Sequence, residues 1–600
     1  MSRKFLYVVF PLLILAGIFL RFYNLRYNTQ FNWDQENSLA FPAREILVNH
    51  HFPLIGPRTG VGDLYLSPFY SYLAALFFGL FQMDPIAGTV LAATLSIITL
   101  ILGFILVNKV LNFSIAFYFT LIWSVSTFIV SLDRIPWNVN LFPIASLLVF
   151  FGLWLSFTEE KTKGWMLTGL GLFLGVNSHF SVLFLFITAL IFILLNRKNL
   201  DKSIFIAFFL LFLGLLPLIL FNFRHQFLLT HNLAKFIAPS VTKIEYIPTR
   251  IMEVSAMILG TIGRLIFFDG ASWIQQTIAI LFLLSLVYLR KDYQMKKFTK
   301  IFTLYLLVYS FGFSLYSGST PQYYFVGLLP IIAIGLSLLF FKIQEKFSKL
   351  PLFLAVFFSI ILFRSYLMVS QINPQSLGAK QKIISKVKEV ANGQPISVAY
   401  DMDLGHSFGY NYLFDYYKVR KSAVGRQDYT FWISYPTSRF PGKPDYSFGD
   451  IALGFPETSK KIFSTKEIEL YSHLLKLRLP KEWVVLQCQG VDFDKYLLTP
   501  DTSASCSRYD EVKSGLAVFN WPSCNIWQID DKVDLNVGSG VPLFITSTEI
   551  LRHIFPKLSK GYIFVTSPET NRCVGFVDLG SFAQSYPSLT TKDIMVSLRK

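Results

Sequence analysis

The stretch FNWDQENSLAFPAREIL, residues 31–47, opens with two carboxylates close together, Asp34 and Glu36, beside Trp33 and shortly after a long apolar run. In an extended segment, residues two apart point to one side. The pair therefore has the types and spacing to bind a divalent cation together, or to act as a base and its orienting neighbour. Acids in such a place also serve simply to face water or to cap the next helix. Company strengthens the chemical reading. Asp133 and Arg134 in SLDRIPWN, His179 in GVNSHFS, Arg224 and His225 in NFRHQF, and Gln322, Tyr323 and Tyr324 in QYYFVGLLP interrupt later apolar runs in the same way. Each has a plainer alternative: a helix-end ion pair, a structural histidine, membrane anchors and an interfacial aromatic belt, respectively.

The elements that must position these residues are apolar helices. Of 600 residues, 53% are hydrophobic, 62 of them Phe, and the mean hydropathy is +0.49. That composition indicates a polytopic membrane protein. The net charge of +17 does not point to nucleic acid. Up to residue 371 there are 27 basic against 14 acidic residues, so the excess lies in the apolar part, where basic residues mark cytoplasmic loops. The run from Phe5 to Leu20 lacks a small-x-small cleavage site and reads as an uncleaved first span.

Eleven segments approach the ~20 apolar residues a spanning helix needs. They lie near 5–23, 86–107, 113–132, 139–157, 164–178, 180–195, 203–222, 274–289, 301–316, 323–341 and 350–371. With the N-terminus inside, alternation sends Lys109, EEKTK, NRKNLDK, RKDYQMKKFTK and FKIQEKFSK to the cytoplasm, as the positive-inside rule asks. It places every candidate residue above, and everything after 371, on the outer side. SPFYSYLAALFFGLF, 67–81, would reverse that pattern if it crossed, so it is expected to be interfacial or re-entrant. IPTRIMEVSAMILGTIGRLIFFDG, 247–270, is expected to be an amphipathic surface helix.

After residue 371 turn residues multiply. QKIISKVKEVANGQ reads as a helix ended by Asn-Gly, and PISVAYD, WVVLQC, LAVFNW and PLFITS as strands. The expected fold class is thus a polytopic α-helical membrane protein, residues 1–371, followed by a mixed α/β extracytoplasmic domain, 372–600. Cys488, Cys506, Cys524 and Cys573 all fall in the second part, which suits disulfides in an oxidising exterior; unpaired buried thiols are the alternative.

The order of segments, an acid after the first span, then SPFYSYL, SLDRIPWN, GVNSHFS, NFRHQF and QYYFVGLLP, resembles the C-type glycosyltransferases of the family thirty-nine kind, the protein O-mannosyltransferase and aminoarabinose transferase group. The similarity covers about residues 1–370. It implies a GT-C-like fold of about eleven spans with a catalytic first external loop, 24–85. It also implies transfer of a sugar from a polyprenyl-phosphate donor to a protein, lipid or glycan acceptor at the outer face of the plasma membrane. By position, Asp34 matches the family's first-loop catalytic acid and Asp133 its second-loop acid. Gln35 separates Asp34 from the glutamate, where the family usually has adjacent acids, and LSPFY lacks the basic residue found there in many members. Arg58, Arg134 and Arg224 are therefore the candidates for the donor phosphate, and Trp33, His179, His225, Gln322, Tyr323 and Tyr324 for substrate binding. A divalent metal, if one binds, would use Asp34 and Glu36. A single base without a nucleophilic partner implies inversion. A transporter or lipid-linked sugar flippase is the competing class, but it should carry ionisable groups at mid-membrane and related halves.

Overall fold

The computed structural model describes residues 3–59, 64–197, 200–267, 271–289, 293–347, 349–422, 429–440 and 442–462. Beyond these it describes the strand segments 465–470, 475–480, 484–488, 495–499, 516–521, 531–532, 544–545, 560–567, 572–578 and 597–598. The chain divides into two compact units, residues 1–378 and 379–600.

Unit 1 is helical. In chain order it comprises α1 (Arg3–Phe22), α2 (Phe41–Leu47), α3 (Phe69–Leu80), α4 (Ile86–Val110), α5 (Phe113–Val125), α6 (Thr127–Asp133), α7 (Phe142–Leu155) and α8 (Lys161–Val176). It continues with α9 (Val182–Leu195), α10 (Ile204–Arg224), α11 (Leu228–Ser240), α12 (Ile247–Ile266), α13 (Ser272–Leu289), α14 (Tyr293–Ser314), α15 (Leu329–Lys346) and α16 (Leu350–Ser370). Helices occupy all eleven segments read from the sequence. Among the described residues six are long and apolar enough to cross a membrane: Ile86–Val110, Asn138–Leu155, Ile204–Arg224, Ser272–Leu289, Gln322–Lys346 and Leu350–Ser370. A seventh candidate, α5 with α6, is bent by 63° at Ser126. The chain is an integral membrane protein. Segment 67–81 forms the 12-residue α3, which at 1.5 Å per residue is only ~18 Å long against a ~30 Å hydrocarbon core.

Small residues let the helices approach closely. A Cβ on Gly164 of α8 would lie 2.3 Å from the Ser156 backbone nitrogen at the end of α7, and one on Gly171 would lie 2.6 Å from the Ala145 carbonyl oxygen. Such glycines bring backbones together where lipid supplies no hydrophobic drive between helices. The expected amphipathic helix is α12, which buries Val254, Ile258, Ile262 and Leu265 along one face.

At the centre of unit 1 lies a charge that the sequence reading did not single out. Arg21 of α1 is fully buried. Its Nη2 and Nε donate to Asp133 Oδ2 at 2.7 and 3.1 Å, and further bonds run to the carbonyls of Gly17, Trp123 and Ser124. The Ser96 hydroxyl contacts both charges. Arg134, also buried, donates from Nη1 to the Leu20 and Arg21 carbonyls and from Nε to Asn28 Oδ1. A guanidinium on the C-terminal carbonyls of α1 complements the negative end of that helix.

Unit 2 opens with α17 (Leu377–Ala391), which begins just ahead of the boundary and ends at Asn392 and Gly393 with φ of 44° and 81°, the left-handed stop that Asn-Gly provides. Its sheet has the order β1-β2-β4-β3. Strands β1 (Ser397–Asp401) and β2 (Thr430–Ser434) are parallel, and β3 (Tyr446–Phe448) and β4 (Ile451–Gly454) complete it antiparallel. Phe431, Ile433, Ile451 and Leu453 of this sheet are fully buried. A five-stranded antiparallel sheet follows in the order Lys560–Ser567, Arg572–Asp578, Leu516–Trp521, Lys495–Thr499 and Val484–Cys488. Cys573 and Cys488 thus sit three strand spacings apart, ~14 Å, well beyond the Cα separation a disulfide spans. Cys506 and Cys524 lie outside the described residues.

Candidate functional site

The first loop is built around a helical turn, Trp33–Gln35, and a π-helix, Glu36–Ala40. The Asn32 amide donates to Gln35 Oε1 at 2.8 Å, and Gln35 Nε2 reaches the Pro136 carbonyl at 2.9 Å, tying this loop to the turn after α6. Because the segment is helical rather than extended, Asp34 and Glu36 diverge. Asp34 lines a cavity, whereas Glu36 is buried at 1% exposure and is not among the cavity residues. The structure thus sets only one of the two carboxylates on the cavity. Among the described residues no group of three or more His, Cys, Asp or Glu is placed to hold a metal ion.

The cavity measures about 380 Å³, within the range of small-molecule sites. Its polar side carries Asp34, Arg58, Asn138, His179, Ser181, Tyr316, Tyr323 and Tyr324. Its apolar side is formed by Leu183 and Phe184 of α9, Phe236 and Ile237 of α11, and Phe313 of α14. Asp34 is reachable from the cavity, yet enough protein surrounds it that burial raises its carboxyl above the ordinary range. Arg58 comes from the loop ahead of α3, bridged to Tyr65.

His179 is held by a well-tied turn. The Ser67 amide donates to the Val176 carbonyl, the Phe69 amide to Asn177 Oδ1 at 2.9 Å, and Ser178 Oγ to the Asn138 carbonyl at 3.1 Å, while Asn138 Nδ2 bonds the Ser178 carbonyl. The SPFY string thus anchors the histidine turn. Around the imidazole stand Phe142, Tyr323 and Tyr324, with ring centroids 5.9, 5.7 and 4.9 Å away. Burial lowers its pKa to about 4, so it is neutral at ordinary pH.

Of the residues singled out from sequence, the structure brings Asp34, Arg58, His179, Tyr323 and Tyr324 to one cavity. The others lie elsewhere. Asp133 and Arg134 are consumed by the buried network around α1, which holds them away from the cavity. Arg224 and His225 sit exposed at the end of α10, where the His225 ring stacks on Phe221 at 3.9 Å. The Gln322 side chain accepts from Arg264 of α12, and Trp33 is 39% exposed beside the cavity rather than in it. Sequence reasoning missed Tyr316, Asn138, Ser181 and Trp137; of these, Ser181 lies in the same NSHFS string as His179, and Trp137 and Asn138 in the same SLDRIPWN string as Asp133, so those three carried a signal.

Residues 66–221 match the family model described as dolichyl-phosphate-mannose-protein mannosyltransferase. Over that segment the chain is similar to this family. The matched residues run from just before α3 to near the end of α10 and include His179; Asp34, Arg58 and the tyrosine pair lie outside them. No curated protein matches the chain by sequence. Among solved structures, ArnT from Cupriavidus metallidurans bound to undecaprenyl phosphate aligns with a TM-score of 0.49 at 9% identity, over 74% of this chain and 97% of that one. The Archaeoglobus fulgidus oligosaccharyltransferase in complex with zinc and sulfate aligns with a TM-score of 0.45 at 12% identity, over 79% of this chain and 73% of that one.

Proposed function

We propose that the protein is a membrane glycosyltransferase that moves a sugar from a polyprenyl-phosphate donor to a protein, lipid or glycan acceptor at the outer face of the membrane. The observation that carries this reading is a cavity in which one carboxylate, Asp34, and one guanidinium, Arg58, meet a wall of aromatic and apolar side chains. Asp34 takes the proton of the acceptor hydroxyl as it attacks the anomeric carbon, and its raised pKa makes it a stronger base than an ordinary aspartate. The guanidinium of Arg58 stabilises the departing phosphate, which gathers negative charge as the bond breaks. The apolar side suits the first isoprene units of the lipid. Among the described cavity residues Asp34 is the only carboxylate, which favours direct displacement with inversion of the anomeric centre over a glycosyl-enzyme.

In this reading the N-terminus is cytoplasmic, 1–371 is the transferase domain, the loop 24–85 supplies the base, and 372–600 is extracytoplasmic. The similarity of 66–221 to a mannosyltransferase family supports the donor class. The test is release of lipid phosphate from labelled polyprenyl-phosphate sugars by the purified protein, with Asp34→Asn beside it. General-base removal should lower turnover by ~10²-fold or more while donor binding survives. An Asp34→Asn protein that inserts, folds and transfers at the wild-type rate would refute the assignment.

A further inference from the structure

The hydrogen bonds around His179 fix which of its nitrogens carries the proton. The Ser181 amide N–H lies 3.2 Å from Nδ1, and an amide nitrogen can only donate, so Nδ1 is the acceptor and bears no hydrogen. The Ser181 hydroxyl is also 2.9 Å from Nδ1 and 3.3 Å from the Tyr324 carbonyl oxygen, and an acceptor Nδ1 is compatible with either orientation of that hydroxyl. Since the buried ring is neutral, its one proton is on Nε2. No described residue bonds Nε2, and the ring lines the cavity. What the cavity receives from His179 is therefore a fixed, uncharged N–H donor.

We infer that His179 is a specificity residue that donates a hydrogen bond from Nε2 to a neutral oxygen of the sugar, and that it is neither a base nor a phosphate ligand. The proposal rests on the glycosyltransferase reading. Its surroundings select the partner. Phe142, Tyr323 and Tyr324 enclose the imidazole with ring faces and edges, which suit the C–H faces of a sugar, whereas a phosphate would call for a cation and the cavity's cation is Arg58. The other ionisable groups lining the cavity are Asp34 and Tyr316. Specificity follows because a buried donor left unpaired penalises a sugar that lacks the matching oxygen.

The test uses the full chain in detergent micelles. Nitrogen-15 NMR of labelled histidine, assigned by loss of the signal in His179→Gln, should show the neutral Nε2-protonated tautomer from pH 5 to 8. Binding is then measured for a polyprenyl-phosphate sugar and for the same polyprenyl phosphate without sugar. His179→Phe keeps a ring and loses the donor, and should weaken the sugar-bearing lipid by roughly 2- to 10-fold, the worth of one neutral hydrogen bond. The sugar-free lipid should bind as before. His179→Gln, which keeps an N–H at similar reach, should recover most of the loss. A proton on Nδ1, an imidazolium in that pH range, equal weakening of both lipids, or a Gln variant no better than Phe would each overturn the proposal. If the wild-type protein binds no such donor, the glycosyltransferase reading and the sugar partner fall together, while the NMR result separately decides the tautomer.

Discussion

Removing either half of the Arg21–Asp133 pair should destabilise the protein, and the two removals should not cost the same. Breaking a buried ion pair by deleting one partner costs about 3–5 kcal/mol, because the remaining charge is stranded away from water. Asp133→Ala leaves the guanidinium its carbonyl acceptors on Gly17, Trp123 and Ser124, so its cost should fall near ~3 kcal/mol. Arg21→Ala leaves the carboxylate with only the Ser96 hydroxyl among the described residues and empties a fully buried site, so its cost should reach ~5 kcal/mol. The double variant Arg21→Met with Asp133→Leu replaces both charges by apolar groups and should return close to wild type. Denaturant titration in mild micelles, followed by tryptophan fluorescence, reads the rank order; sugar transfer per folded molecule is measured alongside. Single variants as stable as wild type would refute the energetic argument. A fully stable Asp133→Ala protein that no longer transfers sugar would refute the structural role and return Asp133 to the chemistry.

Gly164→Ala should destabilise by about 1–3 kcal/mol, since its Cβ would meet the Ser156 backbone at 2.3 Å and backbone cannot swing aside; thermal unfolding in micelles checks it. In unit 2, Asp401 at the end of β1 has both carboxylate oxygens buried without a hydrogen-bond partner among the described residues, and burial lifts its pKa to about 7 against the opposing pull of Arg439. The folded state thus holds a proton that the unfolded state releases near pH 4, so this group's contribution to stability is lost as pH rises to about 7. Asp401→Asn should flatten that dependence and leave unit 2 more stable than wild type above pH 7, read by unfolding of the full chain across pH. The raised carboxyl of Asp34 must lose its proton to act as base, so the acid limb of kcat/KM should lie above the ~3.9 of an ordinary aspartate and vanish in Asp34→Asn.

The helices were legible because apolar runs of that length leave the chain little alternative in lipid. The break at Ser126 was not: it interrupts the apolar segment 113–132 without a proline or a glycine to mark it. Asp34 was found because an acid after an apolar run is conspicuous. That Glu36 would not join it on the cavity was not legible, because spacing says which residues share a face only once the local conformation is known, and here it is helical. Asp133 looked equally available, but its partner Arg21 is 112 residues away in the first helix, and no short-range pattern records such a pairing. Arg224 looked like an anion ligand on grounds of sidedness, a property that places a residue at a surface without aiming its side chain anywhere.

The π-helix at Glu36–Ala40, closed by the Phe41 amide on the Glu36 carbonyl, holds one more residue than an α-turn would. Each α-helical residue turns the chain by about 100°. Deleting any one residue of this segment would let it close as an ordinary helix, and everything before it would swing by roughly that angle relative to α2. Asp34, only two residues upstream, would be carried off the cavity wall although every side chain lining the cavity was still encoded. Along this stretch the site depends on the count of residues as well as on their kinds, so a single-codon deletion between 36 and 40 should be more damaging than most substitutions there.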